Sequence, residues 1–588
     1  MLNFLKSASP LTLATLATLA TLACACGDTV AATESATNTA STTTTEPVET
    51  TATTEPATTT GQLVLLCEPG QERCGDATTR EVCKPTGLEW EPTPCSTYQA
   101  CNEQGGQPTT AKCLGPCEKA SDSPTSVGCE FLAIRIRSGN SEEDLAEFFD
   151  AVLVGNPDPL TATVQMYFTP NSSSVEAPLG DPVVLKTGES TVFKLTSSFI
   201  KGFSAIRNGG VYRVKSDIPV IAYLHSPLKN ADSNDSSMLL PVKSLRQDYV
   251  VASYPGYVFK PEFYGGRPSY FNVIALENTT TVTWTPPVIT AGNGLAPQKV
   301  LAGEVGTVKL NRFELMQVGA STQNADGTPS IDYKSHDISG TVVHADKPIW
   351  LLSGTACAPV PYGSTSCNHL QEQMIPIEYW GTKYVAAPAP LRGTEKSYWR
   401  VYAGEDGINI TVDPGNLHPP IKLDRRGDFK EMEVTSGQGF TFYSTGPFMP
   451  VQYLASNKVA GGIGDPAMYQ TIPIEQYLKR YVFITGIDYT FNYAQVVHAF
   501  GAAPIKINGV EVTADQYKLI NSPFPLGRFY VANVPIESST LEDPKFYTAE
   551  SDDPFSLSVI GYVGENNDGK GSAYAYPGGM ALNPLYIP

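Results

Sequence analysis

Ser216-Asp217-Ile218-Pro219-Val220-Ile221-Ala222-Tyr223 is a short turn signal running into an apolar, β-branched stretch. It returns as Ala345-Asp346-Lys347-Pro348-Ile349-Trp350-Leu351-Leu352 and as Thr445-Gly446-Pro447-Phe448-Met449-Pro450-Val451-Gln452-Tyr453. A weaker copy is Asp552-Asp553-Pro554-Phe555-Ser556-Leu557. After each of the first three comes an apolar run closed by proline and then a β-rich run. These are Met238-Leu239-Leu240-Pro241 with Tyr249-Val250-Val251-Ala252, Met374-Ile375-Pro376 with Lys383-Tyr384-Val385-Ala386, and Thr471-Ile472-Pro473 with Tyr481-Val482-Phe483-Ile484. A turn-plus-strand phrase recurring at long intervals marks a repeated β unit. Ahead of each phrase, two strand patterns flank turn residues and read as a hairpin: 149–154 with 161–167, 270–275 with 281–284, 398–402 with 409–412, and 494–498 with 505–507. The expected fold class is all-β: four tandem repeat units forming β-sandwiches or a propeller-like body, preceded by a small disulfide-rich module. Helix is expected only as single turns, at 244–247 and 475–479.

Composition agrees with that reading. The chain has 47 Pro, 50 Gly and 29 Tyr, a turn-rich and strand-friendly balance. Its formal charge of −19, with no basic run, argues against nucleic acid as a partner, because neutralising phosphates needs clustered Lys and Arg.

The N-terminus reads as a processing signal. Lys6 precedes a short apolar run from Leu11 to Ala23, and Ala23-Cys24-Ala25 before Cys26 resembles a bacterial lipobox. Cys26 is the expected lipidation site, with Cys24 as the rival. Parity favours Cys26, which leaves ten cysteines downstream, all able to pair. Acyl chains on that cysteine would tie the chain to a membrane. The expected location is the bacterial outer membrane or cell surface. From 27 to 61 the sequence is Thr, Ala, Glu and Pro without aromatic residues, an extended tether. About 35 residues could reach ~100 Å.

Cys67, Cys74, Cys83, Cys95, Cys101 and Cys113 crowd a Gly-, Pro- and Thr-rich module at 62–117. So small a segment cannot bury enough apolar surface to fold unaided, so disulfides are expected, in any of the 15 pairings that six cysteines allow. Zinc is the weaker reading, because no His and no pair of C-x-x-C knuckles is present. Cys117 and Cys129 are expected to pair and clasp the module to the body, which spans 118–588. Cys357 and Cys367 are expected to bridge one exposed loop.

The string from Asp346-Lys347-Pro348 through the Cys357–Cys367 loop to Asn368-His369-Leu370-x-Glu372-Gln373, Pro376 and Trp380-Gly381-x-x-Tyr384-Val385 resembles the N-terminal domain of the IgGFc-binding protein family. Asp217-Ile218-Pro219 and Asp235-x-x-Met238-Leu239-Leu240-Pro241 fit the same pattern, and the similarity runs from about Gly128 to the C-terminus. The resemblance implies a large extracellular β-domain for recognition or adhesion, here in a surface-lipoprotein version. In animals the domain is implicated in binding antibody Fc, a property not carried over, since no Fc-contacting residue maps onto this sequence.

No catalytic constellation is legible. The six His show no H-E-x-x-H spacing, and no G-x-S-x-G elbow or P-loop is present. His369 and Glu372 would share a face if helical, yet two ligands do not make a metal site. Asp232-Ser233-Asn234-Asp235-Ser236 and Glu565-Asn566-Asn567-Asp568-Gly569 are oxygen-rich, and read as turns before they read as Ca²⁺ loops. The expectation is a non-catalytic surface protein without cofactor or metal, touching an extracellular protein or glycan. A polysaccharide hydrolase with paired carboxylates and a structural surface-layer component are the alternatives.

Overall fold

The computed structural model describes residues 65–588 apart from 96–97, 105–109, 123, 139–148, 229–232, 258–266, 293, 295–296, 523–525 and 565–570. The lipobox, the tether and the 565–569 loop lie outside the described residues. Among the described residues no helix is long and apolar enough to cross a membrane.

The recurring phrase is the bend of a long strand. Val211–Ser226, Val342–Ala358 and Phe546–Val563 each run unbroken through it. The third copy is interrupted at Gly446-Pro447 into Phe440–Ser444 and Phe448–Tyr453. Pro219, Pro348, Pro447 and Pro554 have no ladder partner. A residue without an N–H belongs where a strand leaves one sheet for another. Before the bend each strand pairs with the unit's opening strand, namely Gly128–Ile134, Arg246–Val250, Lys383–Ala386 or Leu478–Ile484. After it the strand pairs in the second sheet with a closing strand, Asp235–Met238, Asn368–Gln373, Met468–Gln470 or Ser572–Pro577. A strand that turns a corner in this way makes both layers of a sandwich from one segment.

The four expected hairpins are corrected. Asp150–Gly155 and Ala162–Thr169 do not pair with each other: the first lies along residues 221–225 of the bent strand and the second along 211–216. The same holds for Ser269–Ala275 with Thr280–Thr285, for Ser397–Ala403 with Ile408–Asp413, and for Phe491–Ala499 with Lys506–Ile507. Each couple is an arch crossing between sheets. Turn residues report that the chain reverses, not which sheet it re-enters.

The phrase also pins the arch. Asp217 Oδ1 accepts the amide of Thr163 at 2.6 Å, and Asp346 Oδ1 that of Thr281 at 2.8 Å. Thr445 Oγ1 accepts that of Asn409 at 3.1 Å, and Asp553 Oδ2 that of Ala503 at 2.9 Å. A tyrosine braces the bend from the opening strand. Tyr249 Oη accepts from the Arg246 amide at 3.2 Å and donates to the Ile349 carbonyl at 2.7 Å. Tyr384 does the same between Gly381 and Phe448, and Tyr481 between Leu478 and Phe555. In the first unit Phe131 holds the equivalent register, opposite Val214. There Cys117, bonded to Cys129, lies against the carbonyls of Ser216 and Asp217 instead.

The four sandwiches close into a ring. The closing strands of units one and two, two and three, three and four, and four and one are in contact. Sandwiches are thus the units and a ring is their arrangement. Tyr223 of unit one donates to the carbonyls of Val482 and Gly578 in unit four, helping to seal the circle. One apolar core runs through the units, with a second inside the third sandwich around Trp399, Phe440 and Phe442.

The module is held by Cys67–Cys83, Cys74–Cys101 and Cys95–Cys113, one of the pairings open at the level of sequence. One short helix, Pro116–Asp122, carries it to the body. Single 3₁₀ turns at Val242–Ser244, Ile377–Tyr379 and Ile474–Gln476 precede the opening strands of units two to four.

Candidate functional site

The polar residues singled out in the sequence meet on the axis of the ring. Asp235, expected in a turn, starts a buried closing strand. Its Oδ1 accepts the Ser236 amide at 2.9 Å. Its Oδ2 accepts the amides of Gln371 in unit two at 3.1 Å and Met468 in unit three at 3.2 Å. The Ala575 amide of unit four also bonds to this carboxylate. One side chain therefore ties all four units. Of the expected 232–236 turn, Asp232 lies outside the described residues, and Ser233 to Ser236 are buried.

Glu372 is likewise buried, accepting from Ser237 Oγ at 3.0 Å and Gln470 Nε2 at 3.4 Å. Its Oε1 has no partner among the described residues. Burial pushes both carboxyls up, and the nearby Asp235 adds to the push on Glu372, while backbone N–H groups draw Asp235 back down. Burial is the larger influence at both, so folding favours the protonated form of each. His369 and Glu372 stand on a strand, three positions apart and on opposite faces, so no shared helical face exists. His369 Nδ1 faces the Thr355 carbonyl at 3.1 Å and His225 Nδ1 faces Ser236 Oγ at 2.6 Å. Burial lowers these imidazoles to about 4 and about 3, leaving both neutral.

Amides complete the axis. Asn234 and Asn368 exchange hydrogen bonds at 2.8 and 2.9 Å. Gln373 Oε1 takes the Leu240 amide at 2.9 Å and Gln470 Oε1 takes the Ile375 amide at 3.1 Å. Each glutamine thus caps the amide just before the preceding unit's closing proline. The sequence carried a signal for this, a Gln at the end of two successive closing strands, which the phrase-based reading passed over. Among the described residues these axial side chains are buried, and their hydrogen bonds join one unit to the next.

The Cys357–Cys367 loop docks on the third unit. Ser366 Oγ donates to both oxygens of Asp465, at 3.3 and 3.1 Å, and Ser456 N donates to the Val360 carbonyl at 2.7 Å. Burial raises the Asp465 carboxyl to about 7. A groove of 490 Å³ runs between module and body beside the Cys117–Cys129 clasp, with Lys215, Lys243, Glu118 and Glu130 among its lining. Among the described residues no three of His, Cys, Asp or Glu gather as a cation site would need.

A ring of bent-strand sandwiches around a buried polar axis, preceded by a disulfide module, defines an all-β repeat body. The sequence model of the family described as IgGFc binding protein matches residues 235–561, from the axial Asp235 into the last bent strand, and the chain belongs to that family. The chain is similar to the IgGFc-binding protein of Homo sapiens, 27% identical over 204 residues. That stretch is 34% of this chain and 3% of the human protein's length.

Proposed function

We propose that this chain is a non-catalytic surface lipoprotein, anchored through Cys26, that recognises an extracellular protein or glycan. Family membership over 235–561 carries the reading. It is supported by the fate of the chemistry-bearing residues: Asp235, Glu372, His225 and His369 are enclosed and occupied in holding the ring. The full chain, purified in detergent and applied to arrays of glycans and extracellular proteins with IgG Fc among them, is expected to bind at least one ligand saturably. Silence across the arrays would remove the reading. Labelling with a fatty-acid analogue tests the anchor: Cys26→Ala should abolish incorporation and Cys24→Ala should leave it.

A further inference from the structure

At one end of the fourth sandwich four rings meet on three adjacent strands. His498 is near the end of Phe491–Ala499, and Phe500 follows it. Tyr530 lies opposite His498 on Gly527–Ile536, and Tyr517 begins the edge strand Tyr517–Ser522. Phe500 stacks on Tyr530 with centroids 5.5 Å apart. The His498 ring lies 4.8 Å from Tyr517 and 5.7 Å from Tyr530. The Arg528 guanidinium sits over Phe500 at 3.8 Å.

Three features set this cluster apart from ordinary core. It is open: Phe500 is 48% exposed, Arg528 is exposed and both tyrosines are half-buried. The opposite face of the same strands is closed, Val497, Phe529 and Val531 packing on Val385 and Ala387 of the third unit. Second, His498 is only 6% exposed, yet neither ring nitrogen has a partner among the described residues. Burial lowers this imidazole while the Asp553 carboxylate pulls the other way, and in its neutral form the ring has one donor and one acceptor. A buried polar atom without a partner calls for a group from outside. Third, Lys545 in the same unit pairs with Asp543 and Glu537, whereas Arg528 has no carboxylate partner among the described residues.

These features together select a ligand. Ring faces take the C–H face of a pyranose, a guanidinium takes a carboxylate through two parallel hydrogen bonds, and an imidazole exchanges hydrogen bonds with hydroxyls. An apolar protein anchor would fill the rings and leave Arg528 and His498 without partners. We propose that Phe500, Tyr517, Tyr530, His498 and Arg528 form a binding site for a carboxylate-bearing saccharide, the uronic-acid type of unit. This rests on the recognition reading above and adds to it a place and a ligand class.

The test uses the full chain in detergent and titration calorimetry. The probes are oligogalacturonate, its methyl ester, alginate oligosaccharide, sialyllactose and dextran sulfate. At least one carboxylated probe should bind, and masking its carboxylates as esters should weaken it by about tenfold or more. Arg528→Ala and Tyr530→Ala should each cost about tenfold, with unchanged thermal midpoints showing that the fold survives. The site is overturned if no carboxylated probe binds, if ester and acid bind alike, or if both variants bind as the parent does. Equal affinity for dextran sulfate, insensitive to Tyr530→Ala, also overturns it, because charge alone then suffices. A protein ligand held equally by parent and variants overturns this site while leaving the recognition reading intact. No ligand of any class removes both.

Discussion

At the scale of single residues, two repeated side chains make the bend reproducible. The aspartate of the phrase caps an arch amide, and that hydrogen bond holds the Asp346 carboxyl below its usual range. A carboxyl lowered by folding stabilises the fold above its unfolded pKa, and the contribution is lost as pH falls through the folded value. The parent should therefore lose thermal midpoint more steeply than Asp346→Asn between about pH 5 and about pH 3. Parallel profiles would show that the cap contributes nothing. The tyrosine brace is buried, so its removal is felt at neutral pH. Tyr384→Phe leaves the Gly381 amide and the Phe448 carbonyl without their partner, and should cost about 1–3 kcal/mol in urea unfolding. Phe131, in the matching register of unit one, sets the contrast: there the Cys117–Cys129 clasp occupies the bend instead. Asp-x-Pro was legible as a turn, since proline and aspartate act locally. The amide that each aspartate caps was not, because it lies 50 to 65 residues away in the chain, as from Asp217 to Thr163 or Asp346 to Thr281.

Among the elements, the closing strands show how far local patterning reaches. Strand positions were readable from alternation and β-branching, but the partner of each strand was not, and hence four arches read as hairpins. Asp235 and Ser236, inside the expected 232–236 turn, were misread for a related reason: short polar residues signal a turn unless other units supply partners for them. Here three other units do. Asp235 accepts more of these hydrogen bonds than Glu372 does. Asp235→Ala would strip an acceptor from buried amides and should lower stability by more than about 3 kcal/mol. Glu372 is raised by burial and by Asp235, so folding favours its protonated form. Its stabilising effect is fully present below its unfolded pKa and is lost as pH rises through the folded value. Glu372→Gln keeps the shape without the proton, and should flatten the decline of stability on the alkaline side. A variant whose decline matched that of the parent would place the titration elsewhere.

For the whole molecule, body and module owe their order to different forces. The body joins four sandwiches through one apolar core and a closed circle of strands, so it holds its fold by burial. Its disulfide Cys357–Cys367 closes a loop that Asp465 and the Val360 carbonyl also hold. The module offers few buried apolar side chains, Cys67, Cys83, Ala111 and Leu114 among them. Its disulfides span sequence separations of 16, 27 and 18. Loops of that size make each cross-link worth about 3 kcal/mol, so loss of all three exceeds what so small a core can offset. That dependence was visible in the crowding of cysteines. The connectivity was not, because loop-closure entropy varies too slowly with length to prefer one pairing over another. Reductant at neutral pH should therefore expose cleavage sites between 67 and 113 first, while a fragment spanning roughly 128–588 persists, as limited proteolysis with mass spectrometry can follow. If the body were cut as early as the module, the ring would owe its integrity to its disulfide rather than to its axis and core.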